Sequence, residues 1–149
     1  MTYLSWREVD FAAVLLSGLA AGYLMGLVGL WAGRVPGLIA IDIADFGRRY
    51  MVSDRPSAWL LGLASHLANS ILLVLVFACV IHPNFTLHAV LLGILWGAFL
   101  AVVLAGLVVS ALSGMGAMGL KAGGPRVMLT NLLMHVVWGL VVGLLYTPA

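Results

Sequence analysis

The chain has 149 residues, of which 64% are hydrophobic and only 8% charged, and its mean hydropathy is +1.17. An ordinary soluble domain carries about 25% charged residues, so seven basic and five acidic side chains argue against a water-solvated globule, a disordered chain, a coiled coil or a nucleic-acid binder. The single cysteine, Cys79, excludes an intramolecular disulfide and a cysteine-based metal cluster.

Apolar runs of about 20 residues are long enough to cross a hydrocarbon core of about 30 Å, and the chain offers four. The N-terminal tail, Met1 to Asp10, carries Arg7, Glu8 and Asp10. The first run, Phe11 to Gly33, is longer than a signal-peptide core and follows an acidic tail, so it reads as a retained helix. Pro36-Gly37 ends it. In the loop that follows, Ile39, Ile43, Phe46 and Tyr50 recur at helical spacing with Asp42, Asp45 and Arg49 on another face, which predicts an interfacial amphipathic helix over about 38–50. Arg48, Arg49 and Arg55 are then placed to meet anionic lipid headgroups.

The second run is Ala58 to Ile81, and a six-residue hairpin, His82 to Leu87, joins it to the third, His88 to Leu112. A glycine-rich loop without a phosphate-loop Lys-Ser or Lys-Thr reads as flexible and leads to the last run, Val127 to Thr147. The expected fold is all-α: one transmembrane domain, a polytopic four-helix bundle with the interfacial helix in its first loop. Arg34, Arg48, Arg49, Arg55, Lys121 and Arg126 occupy the first and third loops, against Arg7 alone on the other side. The positive-inside bias therefore places both termini outside the membrane.

The two halves of the chain overlay as a parallel repeat. Pro56 precedes His66 by ten residues and Pro125 precedes His135 by ten; Ser70 then aligns with Gly139, and Gly18-x3-Gly22 with Gly93-x3-Gly97. Such repeats often place a site at their interface. Gly18, Gly22, Gly26 and Gly29 on the first span and Gly93 and Gly97 on the third let backbones approach closely in lipid. They are expected to serve packing within the bundle, with a further interface to a second copy or to other integral membrane subunits.

His66 and His135 fall at matching depth near the bilayer centre, His66 on a face with Asn69 and Ser70, His135 on one with Asn131 and Trp138. Intramembrane ionisable residues are functional candidates. Two facing imidazoles suit a b-type haem or a metal ion, whereas neutral imidazoles bonded to neighbouring amides, hydroxyls or carbonyls serve cohesion. His82 and His88 flank the outer hairpin and read as capping groups. No Asp, Glu, Lys or Arg lies within a span, which disfavours a carboxylate proton relay, and no nucleophile-base-acid set can be assembled.

The glycine opening Gly18 to Gly22, the Gly33-Arg34-Val35-Pro36-Gly37 exit followed by Asp42, the central His66, the glycine-rich third loop and the closing His135-x2-Trp138-Gly139-x3-Gly143-x2-Tyr146 together resemble a family of small four-span bacterial integral membrane proteins. The likeness covers most of the chain; Ala111-Leu112-Ser113 stands where the family's pattern has a proline. The resemblance implies a membrane location and no established reaction. The leading expectation is a non-enzymatic accessory subunit packed against a larger complex of a bacterial inner membrane. A small haem or metal-binding electron-transfer protein using His66 and His135 is the rival, and a small channel or lipid carrier the third reading, with little polar lining visible in the spans to support it.

Overall fold

In lipid every backbone N–H and C=O has to find a partner within the protein, and the four apolar runs do so as helices. The computed structural model describes residues 8–45 and 53–146. Its long helices are α1 (Phe11–Ala32), α2 (Pro56–Asn84), α3 (Ala89–Leu112) and α4 (Pro125–Leu145), each long and apolar enough to cross a membrane. The protein is a multi-pass membrane protein with an all-α four-helix bundle.

Local chemistry sets the helix ends. Asp10 caps α1, its Oδ1 accepting from the amides of Ala12 and Ala13 at 2.9 and 3.1 Å. α2 and α4 each start two residues before the predicted point, because Pro56 and Pro125 occupy the first turn, where a missing N–H costs nothing. α2 also runs past the predicted end at Ile81: it widens to π geometry over Phe77–Ile81 and tightens over His82–Asn84. There the Asn84 amide donates to the Val80 carbonyl at 2.7 Å. α3 is capped by His88, is α-helical over Ala89–Leu100, and becomes a π-helix over Ala101–Val109 before a last α turn.

The packing is that of a protein solvated by lipid. α1 buries Ser17, Gly18, Ala21, Gly22 and Gly26 and turns Leu15, Leu16, Tyr23 and Trp31 outward, small inside and large outside, because lipid gives no hydrophobic drive and only close van der Waals approach holds helices together. The backbones approach most extensively between α3 and α4, then between α1 and α4 and between α1 and α2. The order across the bundle is therefore α2, α1, α4, α3.

The two hairpins cross at equivalent positions. A Cβ on Gly18 would lie 2.7 Å from Ile71 Cα, and the neighbouring Ser70 hydroxyl donates to the Gly18 carbonyl at 2.7 Å. In the second hairpin Gly93 and Gly97 meet Gly139 and the His135 carbonyl. Gly18 and Gly93 hold the same place in the repeat, as do Ser70 and Gly139.

The first loop differs from expectation. Between Leu38 and Ala44 the chain is not helical; it tucks into the bundle instead of lying on the membrane surface. The Ile39 amide donates to Thr130 Oγ1 at 3.0 Å and the Ile41 amide to the Gly29 carbonyl at 2.9 Å. Asp42 accepts from the Ala44 amide and the Trp59 indole, both at 2.9 Å, so the carboxylate that periodicity placed on a solvated face organises a re-entrant turn. Irregular backbone at such depth is tolerated where its polar groups are paired inside protein. The rest of the predicted helix, including Arg48 and Arg49, lies outside the described residues. The third loop is a succession of turns, with Lys121 N donating to Met115 O and Gly124 N to Gly119 O, both at 2.9 Å. Gly119 has φ +69, a conformation that L side chains rarely adopt.

Candidate intramembrane binding cavity

α2 and α3 leave their shared hairpin together, yet beyond it they make no backbone contact comparable with the other three pairings. On the side where they fail to meet lies a cavity of about 530 Å³, within the range of about 300–1,000 Å³ typical of small-molecule sites. All four helices and the first loop contribute to its wall, with Ile39 to Ile43 lying across the end nearest the basic loops.

The wall is part polar. α2 supplies His66, Asn69 and Ser70, and α4 supplies Asn131, His135 and Trp138, so the two histidines picked out by sequence do come to one cavity. Their hydrogen bonds fix their tautomers. A carbonyl only accepts, so His66 Nε2–H donates to Gly22 O at 3.2 Å and His135 Nδ1–H donates to Asn131 O at 2.9 Å. His66 keeps a lone pair on Nδ1 and His135 keeps one on Nε2. Trp138 Nε1–H donates to Ser70 Oγ at 2.7 Å, and the Ser70 hydroxyl in turn donates to Gly18 O. This chain of bonds ties α4 to α2 and on to α1.

Opposite lies the π segment of α3, which contributes Leu104, Ala105 and Val109 to the lining. π turns are rare and concentrate at functional sites. This one is held at both ends: Asn131 Nδ2 donates to Ala101 O at 2.8 Å, and Ser110 Oγ donates to Ala105 O at 2.8 Å. Sequence reading placed Asn131 on the histidine face but missed its reach to Ala101, and it missed the roles of Thr130, Asp42 and Ser110 altogether. A single Ser, Thr or Asn in an apolar run is visible; the carbonyl it will satisfy is set by packing.

The other predicted site residues fall elsewhere. Gly18, Gly22, Gly26, Gly29, Gly93 and Gly97 are all buried within the chain, Gly26 and Gly29 against Ile43 and Ile41 of the re-entrant loop. Arg55 is exposed. His82 sits at the hairpin end of the bundle with its ring centroid 6.0 Å from those of Phe77 and Tyr146. Among the described residues no three His, Cys, Asp or Glu side chains gather as a metal site. A bis-histidine ligation of haem would require His66 to give up its bond to Gly22 if it bound through Nε2.

Comparison of the chain with protein-family models, with curated protein sequences and with solved structures finds no match.

Proposed function

We propose that the chain is a non-enzymatic integral membrane protein that binds a small lipid-soluble molecule inside the bilayer. One observation carries this reading: a cavity of about 530 Å³ at membrane depth with polar groups converging from α2 and α4 and apolar side chains from α3. A pocket that is mostly apolar with a few placed polar groups is the usual form of a small-molecule site. The location proposed with it is a bacterial cytoplasmic membrane with both termini outside, since Arg34, Arg55, Lys121 and Arg126 are all exposed at one end of the bundle. Association with a larger membrane complex belongs to the same proposal, though it draws no support from the six glycines, which the fold uses internally. The outward face of α1, with Leu16, Tyr23 and Trp31, is the surface a subunit or a second copy would cover.

The test is native mass spectrometry of the protein released from mild detergent, alongside the variant Ala105→Phe, whose ring fills the cavity from the π segment. The unaltered protein is expected to carry a small-molecule adduct of fixed mass that the variant loses. A bare protein that also shows no saturable uptake of any lipid-soluble probe would sink the reading. Recovery as a lone monomer would count against the subunit role.

A further inference from the structure

The polar wall of the cavity is selective in what it leaves unused. The Trp138 indole N–H is spent on Ser70, the Ser70 proton on Gly18, and one Asn131 amide proton on Ala101. The His135 proton is spent on Asn131 O. What remains is an acceptor lone pair on each histidine, His66 Nδ1 and His135 Nε2, together with the second amide proton and Oδ1 of Asn131 and the amide of Asn69, which also lines the cavity. A group that satisfies His135 Nε2 has to bring its own proton, and in a low-dielectric site an unmet partner costs about 1–3 kcal/mol.

The charges around the cavity narrow the head group further. Among the described residues no Lys or Arg lines it, and its charged lining groups are Asp42 and Asp45 of the first loop. Among those residues a carboxylate or phosphate head would meet carboxylates and no counter-charge. An ammonium held at His135 would face a neutral imidazole and no acid on the helices, since the carboxylates of the lining, Asp42 and Asp45, both belong to the first loop, and an unpaired buried charge is strongly disfavoured. The lining beyond the polar wall is hydrocarbon, with Leu73 from α2 and Leu100, Leu104 and Val109 from α3, the two long helices that do not close on each other.

From this we infer that the ligand is an uncharged amphiphile whose head carries a hydroxyl, bound with that hydroxyl donating to His135 Nε2 and with its hydrocarbon chain leaving between α2 and α3 into the bilayer. The inference rests on the binding function proposed above and specifies its ligand. The Asn69 amide lies on the same wall and serves the head group's remaining acceptor positions. The chain needs no polar partner, and the gap between α2 and α3 lets it stay in lipid while the head is held.

The experiment uses the full-length protein in neutral-lipid vesicles and one brominated hydrocarbon chain carrying in turn an alcohol, a methyl ether, an amine or a carboxylate. Binding is read from quenching of tryptophan fluorescence, with Trp138→Phe identifying the component that arises at the cavity. The alcohol is expected to bind about tenfold more tightly than the methyl ether, equivalent to about 1.4 kcal/mol, and more tightly than either charged head. In His135→Leu the alcohol falls to the affinity of the ether while the ether keeps its own. Equal affinity for alcohol and ether, or tighter binding of the amine or carboxylate, overturns the assignment while leaving a lipid-soluble ligand in place. Absence of saturable quenching by every chain overturns the binding function itself, and this inference with it. Should His135→Leu fail to fold, the head-group series on the unaltered protein decides alone.

Discussion

Replacing Gly97 by alanine isolates the contact that holds α3 to α4. A Cβ at this position would overlap the His135 carbonyl oxygen, lie 3.0 Å from its carbon and stand 3.3 Å from Gly139 Cα. Every one of these neighbours is backbone, so no rotamer can relieve the clash and the helices have to separate. Overpacking of a tight interface costs about 1–3 kcal/mol, and here the upper end applies, since a gap of 0.5–1 Å forfeits a quarter to a half of each dispersion contact along the crossing. Alanine returns about 1 kcal/mol of helix propensity. The net loss is about 2 kcal/mol, roughly a thirtyfold change in the unfolding constant. Gly26→Ala is the internal control: its nearest neighbour is the terminal Cδ1 of Ile43 at 2.9 Å, a methyl that can swing aside, so propensity offsets the strain and stability stays within about 0.5 kcal/mol of the parent. The assay is reversible unfolding in mixed micelles of rising denaturing-detergent fraction, followed by helical circular dichroism. Equal stability of the two variants would refute the claim that the α3–α4 interface is built on backbone contact.

Asn131→Leu removes the side chain that satisfies Ala101 O at the start of the π segment, and is expected to cost about 1–3 kcal/mol with faster amide exchange confined to 101–110, read by hydrogen-exchange mass spectrometry. Asp42→Ala leaves the Ala44 amide and the Trp59 indole without their acceptor; a similar loss is expected, with a shift of the Trp59 emission as the re-entrant turn loosens. At the hairpin end of the bundle burial, with Cys79 and Asp10 adding smaller effects, raises the Tyr146 phenol above its ordinary value near 10. The folded state therefore holds this proton more tightly than the unfolded state, and its contribution to stability, complete below pH 10, is lost as pH rises through the raised value. Tyr146→Phe is expected to flatten that alkaline decline in a thermal-melt series.

The sequence made the helices legible because lipid imposes one rule along the whole chain, and Pro56, Pro125 and Asp10 mark ends by chemistry that needs no tertiary context. His66 and His135 were visible as the two ionisable groups set deep in apolar runs, and the repeat register brought them to one depth. The first loop was misread for a physical reason. Ile39 and Ile43 are spaced for a helix, but the same spacing serves a turn in which Ile43 packs on Gly26 and the Ile41 carbonyl on Gly29 of α1 while Ile39 bonds to Thr130 of α4, and Gly26 and Gly29 look identical to glycines that admit a helix. The π segment left no mark either: Ala101 to Val109 is as apolar as the residues before it, and its widening depends on Asn131, which lies on another helix. Without that widening the cavity wall has no sequence signature beyond the polar face of α2 and α4.

A parallel repeat about an axis along the membrane normal implies two equivalent seams between its halves, α1 with α4 and α3 with α2, yet only the first is closed. The register Gly18 to Gly93 carries Gly29 of α1 onto Leu104 of α3, and the register His66 to His135 carries Asn69 of α2 onto Trp138 of α4. On the closed seam Gly29 lets Met134 of α4 approach to where a Cβ would lie 2.7 Å from its terminal carbon, and Trp138 of α4 is buried with its indole bonded to Ser70. On the open seam Leu104 and Asn69 both line the cavity. The widened turn of α3 has no counterpart in α1, which stays α-helical throughout. The two halves thus share a hairpin and differ at the cavity, and on the binding function proposed above that asymmetry is what makes room for the ligand. Restoring symmetry with Asn69→Trp and Leu104→Gly is expected to close the second seam, raise resistance to denaturing detergent and abolish uptake of a lipid-soluble probe. Retention of binding by a folded double variant would show that the cavity between α2 and α3 is not where the ligand resides.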